Sequence, residues 1–349
     1  MKKIRVLIVE DSQVAREFLE HIVSEDPRLE VAASVASAEE GLRILAKVSP
    51  DVISMDVWLP GMNGFKATQR IMSERPTPIV IVSASAANTD QRVTIQALQA
   101  GALAVIEKPA VSSLEEYDLL AKQLCTQLAI MSQVKLVRMR RQPRPSQLAP
   151  GQAGASPGGY RMLGIASSTG GPNALVRLLG RLGPSFPIPI ALVQHITSGF
   201  LEGFAAWLES SCPFEVEIVR ETSIAEPGKV YVAAADRHLI ASPTKLSARA
   251  GAKICGQIPS GTVLFTSMAT TLGAAALGVV LTGMGSDGAE GLLAVRKRGG
   301  YTIAEDESTA VVYGMPLEAV SLGAISELLP LHAIAPRILA LTSAGKDKE

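Results

Sequence analysis

Short apolar runs alternate with longer stretches of helical spacing along the first 130 residues. Ile4–Val9 and Val52–Met55 are short, mainly apolar runs, as are residues 31–34, 79–82 and 105–106. Each is short enough for a buried strand. Apolar residues recur at helical spacing near 12–24, 37–47, 65–74, 89–100 and 114–130, with Ser12 placed to cap the first helix. Five strand–helix units predict a doubly wound parallel sheet with right-handed crossovers.

The pattern breaks between residues 133 and 159, where Lys135, Arg138, Arg140, Arg141 and Arg144 mix with Pro143, Pro145, Pro150 and Pro157. No acidic residue lies there, and Gly, Ser and Ala fill its end, as in a flexible tether. Strand-like segments resume at 163–167, Ile190–Gln194, Glu215–Val219, Lys229–Ala233 and 279–281, with helical spacing at 172–182, 200–210 and 289–298. A second α/β domain follows, with antiparallel additions expected around 238–248. The expected divisions are an N-terminal domain over 1–125, a basic Pro/Gly-rich linker over 126–158 and a C-terminal domain over 159–345.

Composition narrows the class. Hydrophobic residues are 47% of the 349 and aromatics 4%, so the cores are aliphatic, as parallel sheets covered by helices require. A formal net charge of zero gives no bulk attraction to nucleic acid or membrane. The linker cations have no aromatic residues between them and read as a solvated tether. Three cysteines, Cys125, Cys212 and Cys255, form no disulfide or metal-ligand pattern. With no signal peptide and no transmembrane-length apolar stretch, a soluble cytoplasmic protein is expected.

Chemistry gathers where strands of a parallel sheet end. In the N-terminal domain Glu10 and Asp11 follow the first strand and Asp56 ends the third. Converging carboxylates repel unless a cation joins them, and hard oxygen ligands favour Mg²⁺. Ser83 follows the fourth strand and Lys108 the fifth. A carboxylate, a hydroxyl, an ammonium and Mg²⁺ around one point make a phosphoryl-transfer site, with Asp56 as the nucleophile. The motifs VLIVED, MDVWLPGMNG, VSAS and EKP, in that order, resemble the receiver domain of bacterial response regulators. The resemblance implies phosphorylation of Asp56 by a histidine kinase. Glu10 stands where that family usually has Asp, and Val105 replaces its switch aromatic.

In the C-terminal domain, residues 163–172 run from an apolar strand through Ser167-Ser168-Thr169-Gly170-Gly171 to Pro172. A serine at such an elbow is exposed, and the N–H groups after it can face an oxyanion. The same turn can also cradle a phosphate. Of the four histidines, His195 alone ends a strand at the same sheet edge, which makes it the best candidate base. His238 is either structural or substrate-facing, His21 reads as a surface residue of the first helix, and His332 has no polar neighbours to suggest chemistry. Asp287 lies in a Gly-rich loop after a strand, where it is either a helix N-cap or the acid of a Ser-His-Asp set.

ASSTGGP, QHITSGF, YVAAADRHL, VLFTSMA and LTGMGSDGAEG resemble the chemotaxis protein-glutamate methylesterase (CheB) family. The resemblance implies Ser168 as nucleophile, His195 as base, Asp287 as its partner, and the N–H groups of Thr169 and Met284 as the oxyanion hole. It implies hydrolysis of glutamate γ-methyl esters on chemoreceptors, with glutamine deamidation in many members. No cofactor is expected in this domain. The family's basic Asn-Arg-His-Arg-Pro-Ser-Val-Asp run is replaced by residues 256–263, where Ile258 and Thr262 stand for an Arg and an Asp, so altered substrate contacts are expected. Competing readings are a non-catalytic receptor-binding adaptor and a DNA-binding regulator. The second fits poorly, because the C-terminal half is too long, neutral and Gly-rich for a helix-turn-helix output.

Overall fold

The computed structural model describes residues 3–83, 97, 100, 102, 104–108, 114–132, 159–196 and 198–343. The expected helix at 89–100 and nearly all of the linker lie outside the described residues. The chain divides into two units, Met1–Pro143 and Arg144–Glu349.

The first unit holds a five-stranded sheet of order β2-β1-β3-β4-β5, every pair parallel. Its strands are β1 Ile4–Val9, β2 Leu29–Val35, β3 Val52–Met55, β4 Ile79–Ser83 and β5 Ala104–Glu107. Helices Gln13–Glu25, Ala38–Val48, Gly64–Glu74 and Leu114–Met131 connect and cover it. Ser12, Ser37 and Asn63 cap the first three, each side chain accepting a backbone N–H of the first turn. The last helix continues to Met131, beyond the expected domain end at 125. Order reverses between β1 and β3, so the crevice at a doubly wound sheet's switch point opens between Glu10 and Asp56.

The second unit is built on seven parallel strands of order β15-β14-β13-β6-β7-β10-β8. These are β6 Met162–Ser167, β7 Ile190–Gln194, β8 Glu215–Val219, β10 Lys229–Ala233, β13 Ala276–Val280, β14 Tyr301–Glu305 and β15 Glu327–Leu329. A small antiparallel sheet, β11-β12-β9, comprises β9 Thr222–Ile224, β11 His238–Ala241 and β12 Lys245–Arg249. Every residue of β6, β7 and β13 is buried, which explains their unbroken apolar sequences. From β6 the chain builds outward through β7 on one side and later through β13 on the other. The switch point therefore lies at the carboxyl end of β6.

Helix Gly261–Thr271, not expected from the sequence, buries Leu264, Phe265, Met268 and Ala269 and leaves Thr266, Thr270 and Thr271 exposed. Ser267 Oγ accepts the Ala241 N–H at 2.8 Å, and Thr271 Oγ1 donates to the Ala241 carbonyl at 3.2 Å.

Ile165 is fully buried in the centre of this sheet. Ile165→Ala is expected to lower the second unit's stability by about 2–5 kcal/mol in urea unfolding, whereas exposed His21→Ala stays within about 0.5 kcal/mol. Equal, small effects of both would contradict this placement of the core.

Candidate active site and acidic pocket

Ser168 follows β6 directly and is half-buried. The ladder pairs Ser167 with Gln194, and the His195 N–H continues it to the Ser167 carbonyl at 3.0 Å. Ser168 and His195 thus leave adjacent strands at the same edge, where strand spacing is about 4.8 Å. On the other side the Ser168 N–H donates to the Thr282 carbonyl at 3.1 Å, just past β13.

The two serines have different surroundings. Ser167 is fully buried, and its hydroxyl donates to Gln194 Oε1 at 2.7 Å. Gln194 Nε2 in turn donates to the carbonyls of Ser168, at 2.8 Å, and His195, at 2.9 Å. Ser167 is therefore used by the frame and Ser168 is presented. The elbow depends on its glycines. Gly170 has φ +79°, and a Cβ at Gly171 would lie 2.2 Å from Gln194 Oε1. Helix Gly171–Leu182 begins there, with Pro172 in its first turn.

His195 Nε2 lies 2.8 Å from Asp287 Oδ2, and both side chains are buried. The other ring nitrogen, Nδ1, is buried with no hydrogen-bond partner among the described residues. With Nε2–H held by the carboxylate, the lone pair of a neutral ring falls on Nδ1, free to accept a proton.

Asp287 does not cap its own helix. The cap of Ala289–Lys297 is Gly288. Asp287 instead sits at the N-terminus of helix Gly261–Thr271 in the preceding segment. It accepts from Ser260 Oγ at 2.6 Å, Gly261 N–H at 2.6 Å and Thr262 N–H at 3.0 Å. Burial pushes this carboxyl up, but the His195, Ser260 and Thr262 hydrogen bonds and the imidazole's charge outweigh it and hold it down at about 2. The helix N-terminus adds partial positive charge. Within residues 256–263, Ser260, Gly261 and Thr262 hold the carboxylate, and Thr262 Oγ1 also accepts the Gly288 N–H at 2.7 Å.

Thr169 follows Ser168. Gly283 packs so close that a Cβ there would meet Ser168 Cβ at 2.8 Å, which places Met284 beside the elbow, 44% exposed. His238 is buried with Nε2 2.9 Å from the Ala252 carbonyl, a structural position rather than a substrate-facing one. His21 is exposed, and the His332 carbonyl accepts from Arg181 Nη1.

In the first unit, oxygens of Glu10, Asp11 and Asp56 lie within 4.8 Å of one another. Lys108 Nζ is 2.9 Å from Asp56 Oδ2 and 2.7 Å from Glu10 Oε2, although the Glu10 approach lacks hydrogen-bond geometry. Asp56 Oδ1 accepts the Val57 N–H at 2.7 Å. Burial, then the charge of Asp56, raises Glu10 despite Lys108. Burial lowers Lys108, but the two carboxylates overcome it and hold its ammonium above the ordinary value. Ser83 ends β4 at this edge, and its side chain lies outside the described residues. Val105 is half-buried against the core.

Comparison with known proteins agrees with this division. The profile of the CheB methylesterase family matches residues 163–338, and that of the response regulator receiver domain matches 6–117. A protein-glutamate methylesterase/protein-glutamine glutaminase of Paramagnetospirillum magneticum is 52% identical over 99% of both chains. The chain belongs to the CheB methylesterase family. Another relative of that name, from Syntrophus aciditrophicus, is 41% identical over 98% of this chain and 99% of its own. The crystal structure of the Thermotoga maritima CheB methylesterase catalytic domain aligns with a TM-score of 0.50 at 33% identity, covering 52% of this chain and 98% of that one.

This CheB-family site contains residues that the sequence did not announce. Gln194 fixes the elbow, Ser260 and Gly261 hold Asp287, and Thr282 and Glu305 brace the far side. Ser260 carried a usable signal, an N-cap residue immediately before an apolar run. Partners brought in from other strands carry no local signal.

The Asp287 carboxyl falls from an ordinary 3.8 to about 2, so its stabilising effect is complete above pH 4 and is lost as pH falls through 2. Relative to Asp287→Asn, the wild-type second unit should lose about 2 kcal/mol between pH 5 and pH 2 in urea unfolding. A difference that does not change with pH would contradict the clamp.

Proposed function

We propose that the chain is a phosphorylation-controlled protein-glutamate methylesterase acting on chemoreceptors, with Ser168, His195 and Asp287 as its catalytic set. The observation that carries this reading is the buried His195–Asp287 pair, whose Nδ1 is buried without a hydrogen-bond partner among the described residues, at the end of the strand next to the one that ends at Ser168. Both full-length relatives are named for methylesterase and glutaminase activities.

The chemistry follows from the parts. Ser168 Oγ attacks the γ-carbonyl carbon of a methylated glutamate, and its proton passes to His195 Nδ1. The resulting oxyanion takes hydrogen bonds from the Thr169 and Met284 N–H groups. Asp287 stays ionised throughout, consistent with its low pKa, and keeps the ring oriented as it becomes imidazolium. Collapse of the intermediate expels methanol, which takes the proton back from His195. Water, deprotonated by the same imidazole, then attacks the acyl-enzyme and releases glutamate and Ser168. A glutamine side chain presents the same carbonyl with ammonia as leaving group, so deamidation needs no additional residues.

In the receiver, Asp56 accepts the phosphoryl group from a histidine kinase, and Lys108 and Ser83 contact its oxygens. Glu10, Asp11 and Asp56 fit a hard divalent cation, because three carboxylates converge and, among the described residues, the Lys108 ammonium alone is paired with them. Bound Mg²⁺ would neutralise phosphoryl charge there. Among the described residues no helix is long and apolar enough to cross a membrane. The reading places the chain in the cytoplasm, where receptor signalling helices and the kinase are accessible.

Methanol release from methylated receptor fragments tests the esterase. Ser168→Ala should abolish release, while Ser167→Ala should retain part of it. The reverse order would overturn the assignment. Control is tested with an acyl phosphate donor and Mg²⁺, which should raise turnover of the wild type and leave Asp56→Ala unchanged. A response in Asp56→Ala would exclude phosphorylation at that residue as the switch.

A further inference from the structure

Glu305 ends β14 at the same sheet edge as Ser168, and its side chain is fully buried. Its Oε2 accepts the Thr282 N–H at 2.9 Å. Thr282 is a junction. Its carbonyl accepts the Ser168 N–H, its hydroxyl donates to the Thr169 carbonyl at 2.9 Å, and that hydroxyl accepts the Val312 N–H at 2.8 Å. The next residue, Gly283, is pinned by the N–H groups of Gly314 and Met315 on its carbonyl, and Met284 follows. One carboxyl oxygen therefore anchors the backbone that borders both the serine and one of its oxyanion donors. The other oxygen, Oε1, is buried without a partner of hydrogen-bond geometry among the described residues. Buried polar atoms are rarely left this way, and the catalytic set above does not use this group.

We propose that Glu305 is a positioning residue of the esterase, holding Thr282 so that Ser168 and Met284 meet the substrate carbonyl, and doing so best as the neutral acid. The proposal rests on the assignment of Ser168, Thr169 and Met284 above. A neutral carboxyl still accepts the Thr282 N–H. An ionised one places negative charge behind the donors that must hold a developing oxyanion, where little water screens it. Burial pushes this carboxyl up to about 7, and Asp306 adds to the rise. The Thr282 N–H, Thr309 and Arg177 of helix Gly171–Leu182 oppose it. Its charge therefore changes near neutral pH.

The test is kcat and KM for methanol release by the full chain from pH 6 to 8.5, for wild type, Glu305→Gln and Glu305→Leu. Glutamine keeps the acceptor and cannot ionise. The ratio of Glu305→Gln to wild-type kcat cancels every ionisation that the two enzymes share. It should be near one at pH 6 and rise about three- to tenfold by pH 8.5, with the midpoint of its reciprocal near 7. Glu305→Leu should lose about tenfold or more in kcat at every pH, with KM nearly unchanged. A flat ratio overturns the proposal, even if the leucine variant fails to fold. So does wild-type kcat in a folded Glu305→Leu. A wild type that releases no methanol at any pH would instead remove the esterase reading itself.

Discussion

The second unit is organised around one buried anion, the Asp287 carboxylate. Isolated in an apolar interior it would be protonated, because desolvation of a charge costs several kcal/mol. It remains ionised because hydrogen bonds reach it from Ser260, Gly261, Thr262 and His195. Three of those donors belong to the beginning of helix Gly261–Thr271, whose dipole also favours negative charge. The orientation of His195 follows from this anion. Had Asp287 been neutral, it could have donated to the ring, and the open nitrogen would no longer be determined.

The placement of that anion is a consequence of topology. Strands added on opposite sides of β6 leave its carboxyl end at the switch point, with β7 and β13 as neighbours. One contributes His195, and the other contributes the loop from Thr282 to Asp287. Residues separated by 92 positions in sequence meet because the sheet order requires it. The receiver repeats the logic with different groups. There the switch point gathers carboxylates and an ammonium, which suits phosphoryl transfer, and in the second unit it gathers a hydroxyl, an imidazole and one carboxylate, which suits acyl transfer.

Central strands were legible in the sequence as largely apolar runs, and Ile190–Gln194 and Lys229–Ala233 match residue for residue, as does the edge strand Glu215–Val219, where glutamates alternate with apolar residues. Helices with one wet face were legible through periodicity. Helix Gly261–Thr271 was not, because its exposed residues, Thr266, Thr270 and Thr271, are only weakly polar and contrast little with the buried Leu264, Phe265, Met268 and Ala269. Nor were Tyr301–Glu305, Met315–Ser321 and Glu327–Leu329, which are short. Leu331–Ser343 carries Pro336 in its interior, where proline normally argues against a helix. The candidate residues Ser168, His195 and Asp287 were legible because each ends an apolar run in a Gly-rich or polar turn. Asp287 read locally as an N-cap, and only tertiary placement shows which helix it serves. Glu305 gave no signal, since a strand-terminal glutamate is ordinarily solvated.

In the proposed mechanism Ser168 and His195 work as a unit through the unpartnered Nδ1 nitrogen. A double-mutant cycle on kcat for methanol release, comparing Ser168→Ala, His195→Gln and the double variant, tests it most directly. The account predicts that each single variant falls to about the same residual rate as the double. Losses that add, with the double variant far below either single, would contradict it.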